Sequence, residues 1–194
     1  MVGREEIKEE KNKSLSAEQE IEEAERLLDS IEVKEEDAAD FSPDLIYEFQ
    51  EQLTDEQRQN LYQKIIKMSI PQKIRLAMMG NREARNILIL DHNKAVVMAV
   101  LRSPKLTEND VFTFAQQRNL AEEVYKYIAR NKNWIKNYAL KLALVNNPKT
   151  PLAIALRFLD HLQERDLKNL SRSKNVSNVL AKAAAQLLLK RAGK

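Results

Sequence analysis

The chain has 194 residues, 43% of them hydrophobic, and a formal net charge of +3 that hides an asymmetry: residues 1–60 hold 7 Lys/Arg against 20 Asp/Glu, and residues 61–194 hold 25 against 9. That length suits one ordinary domain with a tail, and the apolar content suffices for a core. Without cysteine there is no disulfide, thiolate metal site or cysteine nucleophile, and without a run approaching ~20 apolar residues or an apolar leader the chain is expected to be cytoplasmic, with no membrane insertion.

Residues 1–13 are rich in charge and poor in apolar side chains, so a disordered tail is expected there. Residues 14–68 read as an acidic helical arm or cap. Ser16-Ala17-Glu18-Gln19 has the spacing of a capping box. Ile21, Ala24, Leu28 and Ile31 then fall on one helical face, opposite a face that is nearly all Glu. Such a thin stripe does not hold a helix in water by itself.

Ser42-Pro43-Asp44 is a second start signal, with a cap residue, a proline at the first helical position and an acid in the first turn. Leu45, Ile46, Phe49 and Leu53 are expected to be its stripe. Phe41, Leu45, Ile46 and Phe49 form a compact anchor able to fill a groove, either of a partner or of this chain's own first repeat. Thr54-Asp55-Glu56-Gln57 opens a third helix with Leu61, Ile65 and Met68 inward. Ser69-Ile70-Pro71-Gln72 opens a fourth, with Gly80 as its C-cap.

Residues 69–194 form the basic part, and here the sequence repeats. Displaced by 44 positions, Ala95, Met98, Ala99, Val100 and Leu101 fall on Ala139, Leu142, Ala143, Leu144 and Val145, and Ser103-Pro104-Lys105 falls on Asn147-Pro148-Lys149. Leu142 is thereby expected in the core. A second element recurs as Leu76-Ala77…Asn81, Phe114-Ala115…Asn119 and Leu170-Ser171…Asn175. The unit is about three short helices. A helix ends before the recurring Asn, which caps the next, and a third helix ends at the proline turn. Asn119 with Glu122 has capping-box spacing, and an Asn cap is worth ~1 kcal/mol over Ala. Pro148 stops one helix, and Thr150-Pro151 starts another as cap and first-turn proline. Thr107 and Asp110 do the same after Pro104. A period of roughly 40 residues with helical content marks an all-α, right-handed α-solenoid of short HEAT- or armadillo-like helices.

The stretches "AVVMAVLRSPKLTENDVFTFA" and "ALKLALVNNPKTPLAIALRFL", with "MGNREARNILI" before them, resemble bacterial HEAT-like α-solenoids, above all the leucine-rich repeat variant family. The resemblance covers about two-thirds of the chain, from Ser69 to Ala192. It implies a scaffold rather than a chemistry. Some members of that family carry a cysteine-rich iron–sulfur segment. This chain has no counterpart, so no cofactor is implied.

Catalytic patterns are weak. His161-x-x-Glu164 places two possible metal ligands one helical turn apart, without a third. His92-Asn93 reads as a polar turn. Gly3, Gly80 and Gly193 are too scattered for a phosphate loop. A hydrolase or base-excision site would need an inward carboxylate that sequence does not place, so the chain is expected not to be an enzyme.

The cations are more suggestive. Lys105 and Lys149 follow repeat-equivalent proline turns, and Arg118 and Lys174 precede recurring Asn residues. With Arg82, Arg130 and Lys132, they are candidates for a positive stripe that binds a partner or an anion. Solvated turn residues are the ordinary alternative. Lys94, Arg102, Arg85 and Lys136 add nearby charge. Trp134, Ile135 and Tyr138 lie among cations, as base-stacking aromatics do, but this spacing also fits a gap between helices. Of Tyr125 and Tyr127, at least one is expected to be exposed. The tail "VLAKAAAQLLLKRAGK" reads as the terminal cap, with Lys190, Arg191 and Lys194 matching its helix dipole.

These readings point to a non-catalytic helical-repeat scaffold that binds an acidic segment of a partner protein. The alternative is nucleic-acid binding through the basic stripe, regulated by the acidic arm. The arm itself reads as an interaction tail or as a segment folding onto the body.

Overall fold

The computed structural model describes residues 17–193. The charged tail at 1–13, the Ser16 cap and Lys194 lie outside the described residues. Among those described, every regular element is helical: α1 (Ala17–Ser30), α2 (Pro43–Ile46), α3 (Asp55–Ile66), α4 (Ile70–Met79), α5 (Arg82–Leu88), α6 (Lys94–Arg102), α7 (Glu108–Gln116), α8 (Glu122–Arg130), α9 (Tyr138–Asn146), α10 (Leu152–Leu159), α11 (Glu164–Arg172) and α12 (Asn178–Ala192), with 3-10 turns at Glu35–Asp40 and Trp134–Lys136.

Several starts follow their sequence signals. Thr54 and Gln57 form a reciprocal capping box on α3, with bonds of 2.9 and 3.2 Å. Thr107 and Asp110 do so on α7. The Gln72 side chain accepts from the Ser69 backbone at 2.9 Å at the head of α4. Asn81 caps α5 through Ala84 N at 2.9 Å. Asn93 and Asn137, 44 residues apart, cap α6 and α9 in one geometry: each carboxamide oxygen accepts from the second and third residues beyond it. Helices α6 and α9 are both nine residues long, as are α7 and α11, which start 56 residues apart.

Three expectations need correction. First, α2 stops at Ile46, and Tyr47 is extended. The Asp44 carbonyl, which would take the next helical bond, instead accepts from Asn81 Nδ2 at 2.8 Å, and the Leu45 carbonyl accepts from Asn81 N at 2.8 Å. Phe49 is left in a loop at 37% exposure, although Leu53 is buried. Second, Asn119 and Asn175 are no caps. Both lie in bends, and α8 and α12 are entered through Ala121 and Ser177. Third, Thr150 does not cap α10, whose N-cap is Pro151 itself. Gly80 is the C-cap of α4, as expected, at φ −64° and so outside the left-handed region. Glycine is needed there because a Cβ would stand 2.5 Å from the Leu76 carbonyl oxygen.

The core runs the length of the body, from Leu61 and Ile65 through Leu76, Ala77 and Leu88 to Phe114, Ile128, Leu144, Leu167 and Leu170. Its centre is α6, where every residue from Ala95 to Leu101 is buried. A helix apolar all round needs neighbours on every side, and α6 packs against α1, α4, α5 and α8. In α9, by contrast, Leu140, Leu144 and Val145 are buried while Leu142 is only half-buried, so Leu142 is not the core residue its repeat position suggests.

Candidate interaction surface

Helix α1 lies along α6. Ala24 and Leu28 are buried in this contact, as the spacing of the apolar stripe requires. At one end Lys94 Nζ reaches Glu20 at 2.6 Å and Glu123 at 3.5 Å. At the other, Arg102 pairs with Asp29 at 2.9 Å and Glu25 at 3.2 Å. The hydrogen bond that Lys94 donates to Glu20 outweighs desolvation and holds the Lys94 ammonium above its usual pKa. The rest of the acidic segment follows suit. Asp37 stands 3.5 Å from Arg75, and Asp44 accepts from Lys64 at 2.5 Å. Burial alone would raise the Asp44 carboxyl, but Lys64 and Ser42 together hold it below the ordinary carboxylate value. The basic body thus already carries one acidic helix.

The residues of the proline joints have a shared task. Helix C-termini leave carbonyls without intrahelical donors. Ser103 Oγ donates to Met78 O at 3.1 Å and Lys105 Nζ to Met79 O at 2.5 Å, both at the end of α4. Asn147 Nδ2 donates to Ala115 O at 2.8 Å and Gln117 O at 2.6 Å, at the end of α7. Arg191 closes the end of α10 by donating to Asp160 O and Leu162 O at 2.8 and 2.7 Å. Arg191, in the last turn of α12 as expected, thus also serves another helix. The Gln117 carbonyl also accepts from the Tyr125 hydroxyl at 2.5 Å, and burial pushes that phenol's pKa up.

Beneath the surface lies a cluster that sequence reading passed over. Arg85 is buried, donating to Gly80 O at 2.8 Å and to Asp110 Oδ2 at 3.3 Å. Arg82 Nε meets the other Asp110 oxygen at 2.8 Å. Asp110 was legible only as the third residue of a capping box. Its second role, tying α5 to α7, left no local sequence signal.

The candidate cations separate accordingly. Arg82 and Lys105 are engaged as described, as are Lys94 and Arg102. Arg118, Arg130, Lys132, Lys149 and Lys174 are exposed and form no ion pair among the described residues. Of the anchor residues, Phe41 and Leu45 are buried and Ile46 packs partly on the core. Phe49 lines a surface groove of about 470 Å³ with Leu61 and Lys64.

Other motifs take structural places. Trp134, Ile135 and Tyr138 are partly buried against the core, and Trp134 meets Tyr127 at a centroid separation of 6.0 Å. Tyr125 is fully buried and Tyr127 half-buried. The Tyr138 hydroxyl donates to Asp166, and its pKa is raised by burial and by that carboxylate. His161 lies in a turn after α10 and Glu164 opens α11, so the two do not share a helical face. Among the described residues, no three His, Asp or Glu side chains gather to hold a metal, and no helix is long and apolar enough to cross a membrane.

Between α7 and α9 runs a shallow groove of about 400 Å³. It is lined by Phe112, Ala139, Leu142 and Ala143, with Arg118 and Asn146 at its rim. No family model, curated protein or solved structure matches the chain.

Proposed function

We propose that this chain is a non-catalytic interaction module, a right-handed stack of three-helix units whose basic body binds an acidic segment of another protein. The units would be α4–α6, α7–α9 and α10–α12. In each, polar or cationic residues at the end of the third helix close the carbonyl end of the first: Ser103 and Lys105, Asn147, and Arg191. The observation that carries the functional reading is the seating of α1 on α6 through Glu20, Glu25 and Asp29. It supports the reading by example: the segment seated there is a small apolar stripe flanked by carboxylates. Residues 124–159 hold seven Lys/Arg and no acid, so unspent positive charge continues beyond the arm.

Nucleic-acid binding is the second reading, favoured by the cations Arg118, Arg130, Lys132, Lys149 and Lys174, which are exposed and without an ion pair among the described residues. The acidic arm already holds Lys94 and Arg102, which leaves those residues out of such a site. A titration of the full chain with an unrelated Glu-rich helical peptide and with a short DNA duplex separates the two. The proposal expects saturable peptide binding that weakens as salt is added. Binding to the duplex alone, with a log–log salt slope near −0.9 per phosphate contacted, would replace it.

A further inference from the structure

The face of α6 under α1 has a counterpart on α9 that no helix covers among the described residues. The 44-residue displacement carries Ala95, Met98, Ala99 and Arg102 onto Ala139, Leu142, Ala143 and Asn146. The first three are 1%, 5% and 0% exposed beneath the arm. Their counterparts are exposed or half-buried, and all four line the α7–α9 groove. Resting on the reading above, we infer that this groove docks an acidic amphipathic helix of a partner protein, seated as α1 is seated on α6.

Two features fix the occupant. Alanines at 139 and 143, like those at 95 and 99, let a helix backbone approach closely, and Leu142 and Phe112 supply an apolar floor. Arg118 is the one charged residue among those lining the groove, and α9 itself carries no acid. The partner helix therefore carries a small or leucine side chain every fourth residue, with Glu or Asp beside the stripe, as Ala24, Leu28, Glu25 and Asp29 do. The ends of the groove also explain why α1 itself prefers α6. Where α6 has Lys94 and Arg102, α9 has Tyr138 and Asn146. The chain's own arm is thus held on the first unit by charge at both ends, and the second, with Arg118 as its cation, is left to a similar acidic helix supplied from outside the chain.

The test uses the full chain and a fluorescein-labelled synthetic peptide of residues 17–33 as an acidic amphipathic probe, followed by anisotropy. The expected result is saturable binding that weakens with salt and falls by about tenfold or more in Ala143→Glu and in Arg118→Glu. Arg118 is exposed, so its variant keeps the fold even if Ala143→Glu does not. Binding that ignores both substitutions but is lost in Lys94→Glu would mean that the probe exchanges with α1 on α6. That would overturn the groove assignment and leave the acidic-partner reading standing. Absence of probe binding also overturns the groove, and the broader reading falls with it only if the unrelated Glu-rich peptide fails as well.

Discussion

The Arg85 guanidinium and the Asp110 carboxylate meet 3.3 Å apart between α5 and α7, at side-chain exposures of 3% and 2%. Removing one member of such a pair strands a buried charge, which costs more than the pair contributes. Asp110 also closes the α7 capping box and meets Arg82. Asp110→Ala is therefore expected to destabilise the chain by about 3–5 kcal/mol in urea unfolding. Arg82→Ala, whose side chain is 43% exposed, is expected to cost far less. Equal effects would mean that the buried pair is not the tie between these helices.

Asn147 holds two carbonyls at the end of α7 and is 5% exposed, whereas Asn119 lies exposed in a bend. Losing the Nδ2 donor leaves the buried Ala115 carbonyl unpaired, while Gln117 O keeps its bond from Tyr125, so Asn147→Ala should cost about 1–3 kcal/mol. Asn119→Ala should stay within about 0.5 kcal/mol, as surface changes do. A thermal melt of the two variants decides. The reverse order would restore Asn119 as a cap.

The contrast shows what the sequence made legible. Start signals built from neighbouring residues, such as Thr54 with Gln57 and Thr107 with Asp110, could be read directly because donor and acceptor lie within one turn. The 44-residue recurrence of Ala95 to Leu101 over Ala139 to Val145 was visible as spacing, but the caps Asn93 and Asn137 that share it were not read from the sequence. The end of α2 was not, because its carbonyls are claimed by Asn81, far along the chain. Nor was the half-buried state of Leu142: it matches Met98 in type and register, and differs only because α1 covers one site and not the other. Pairings such as Arg85 with Asp110 depend on how helices meet and leave no trace in spacing.

Gly80 is predicted to resist even the smallest enlargement. A methyl group there would lie 2.5 Å from the Leu76 carbonyl oxygen and 3.1 Å from Ala84 Cβ, so backbone must move. Gly80→Ala is expected to lower stability by about 1–3 kcal/mol. In a turn with this φ the substitution would otherwise be harmless, so an unchanged melting temperature would contradict the close approach.

The arm's docking should depend on pH from the alkaline side. Lys94 donates a hydrogen bond to Glu20 in the folded chain, and its pKa is raised above 10.5. A raised pKa means that the contribution is fully present below 10.5 and is lost as pH rises through the folded value. The stability difference between the wild type and Lys94→Met is therefore constant at neutral pH and shrinks only above 10.5. A difference that vanished near neutrality would dissociate Lys94 from the arm.

The equivalence of a covered face on α6 and an open one on α9 can be measured most directly by thiol labelling, since the chain has no cysteine of its own. Ala95→Cys and Ala139→Cys occupy the same place in the two helices, the first 1% exposed and the second exposed. Maleimide is predicted to label Ala139→Cys faster by more than about tenfold, or ~1.4 kcal/mol of local opening. A saturating acidic helical peptide is predicted to slow labelling at Ala139→Cys alone. Equal rates at the two positions, or labelling of Ala139→Cys indifferent to the peptide, would contradict the account.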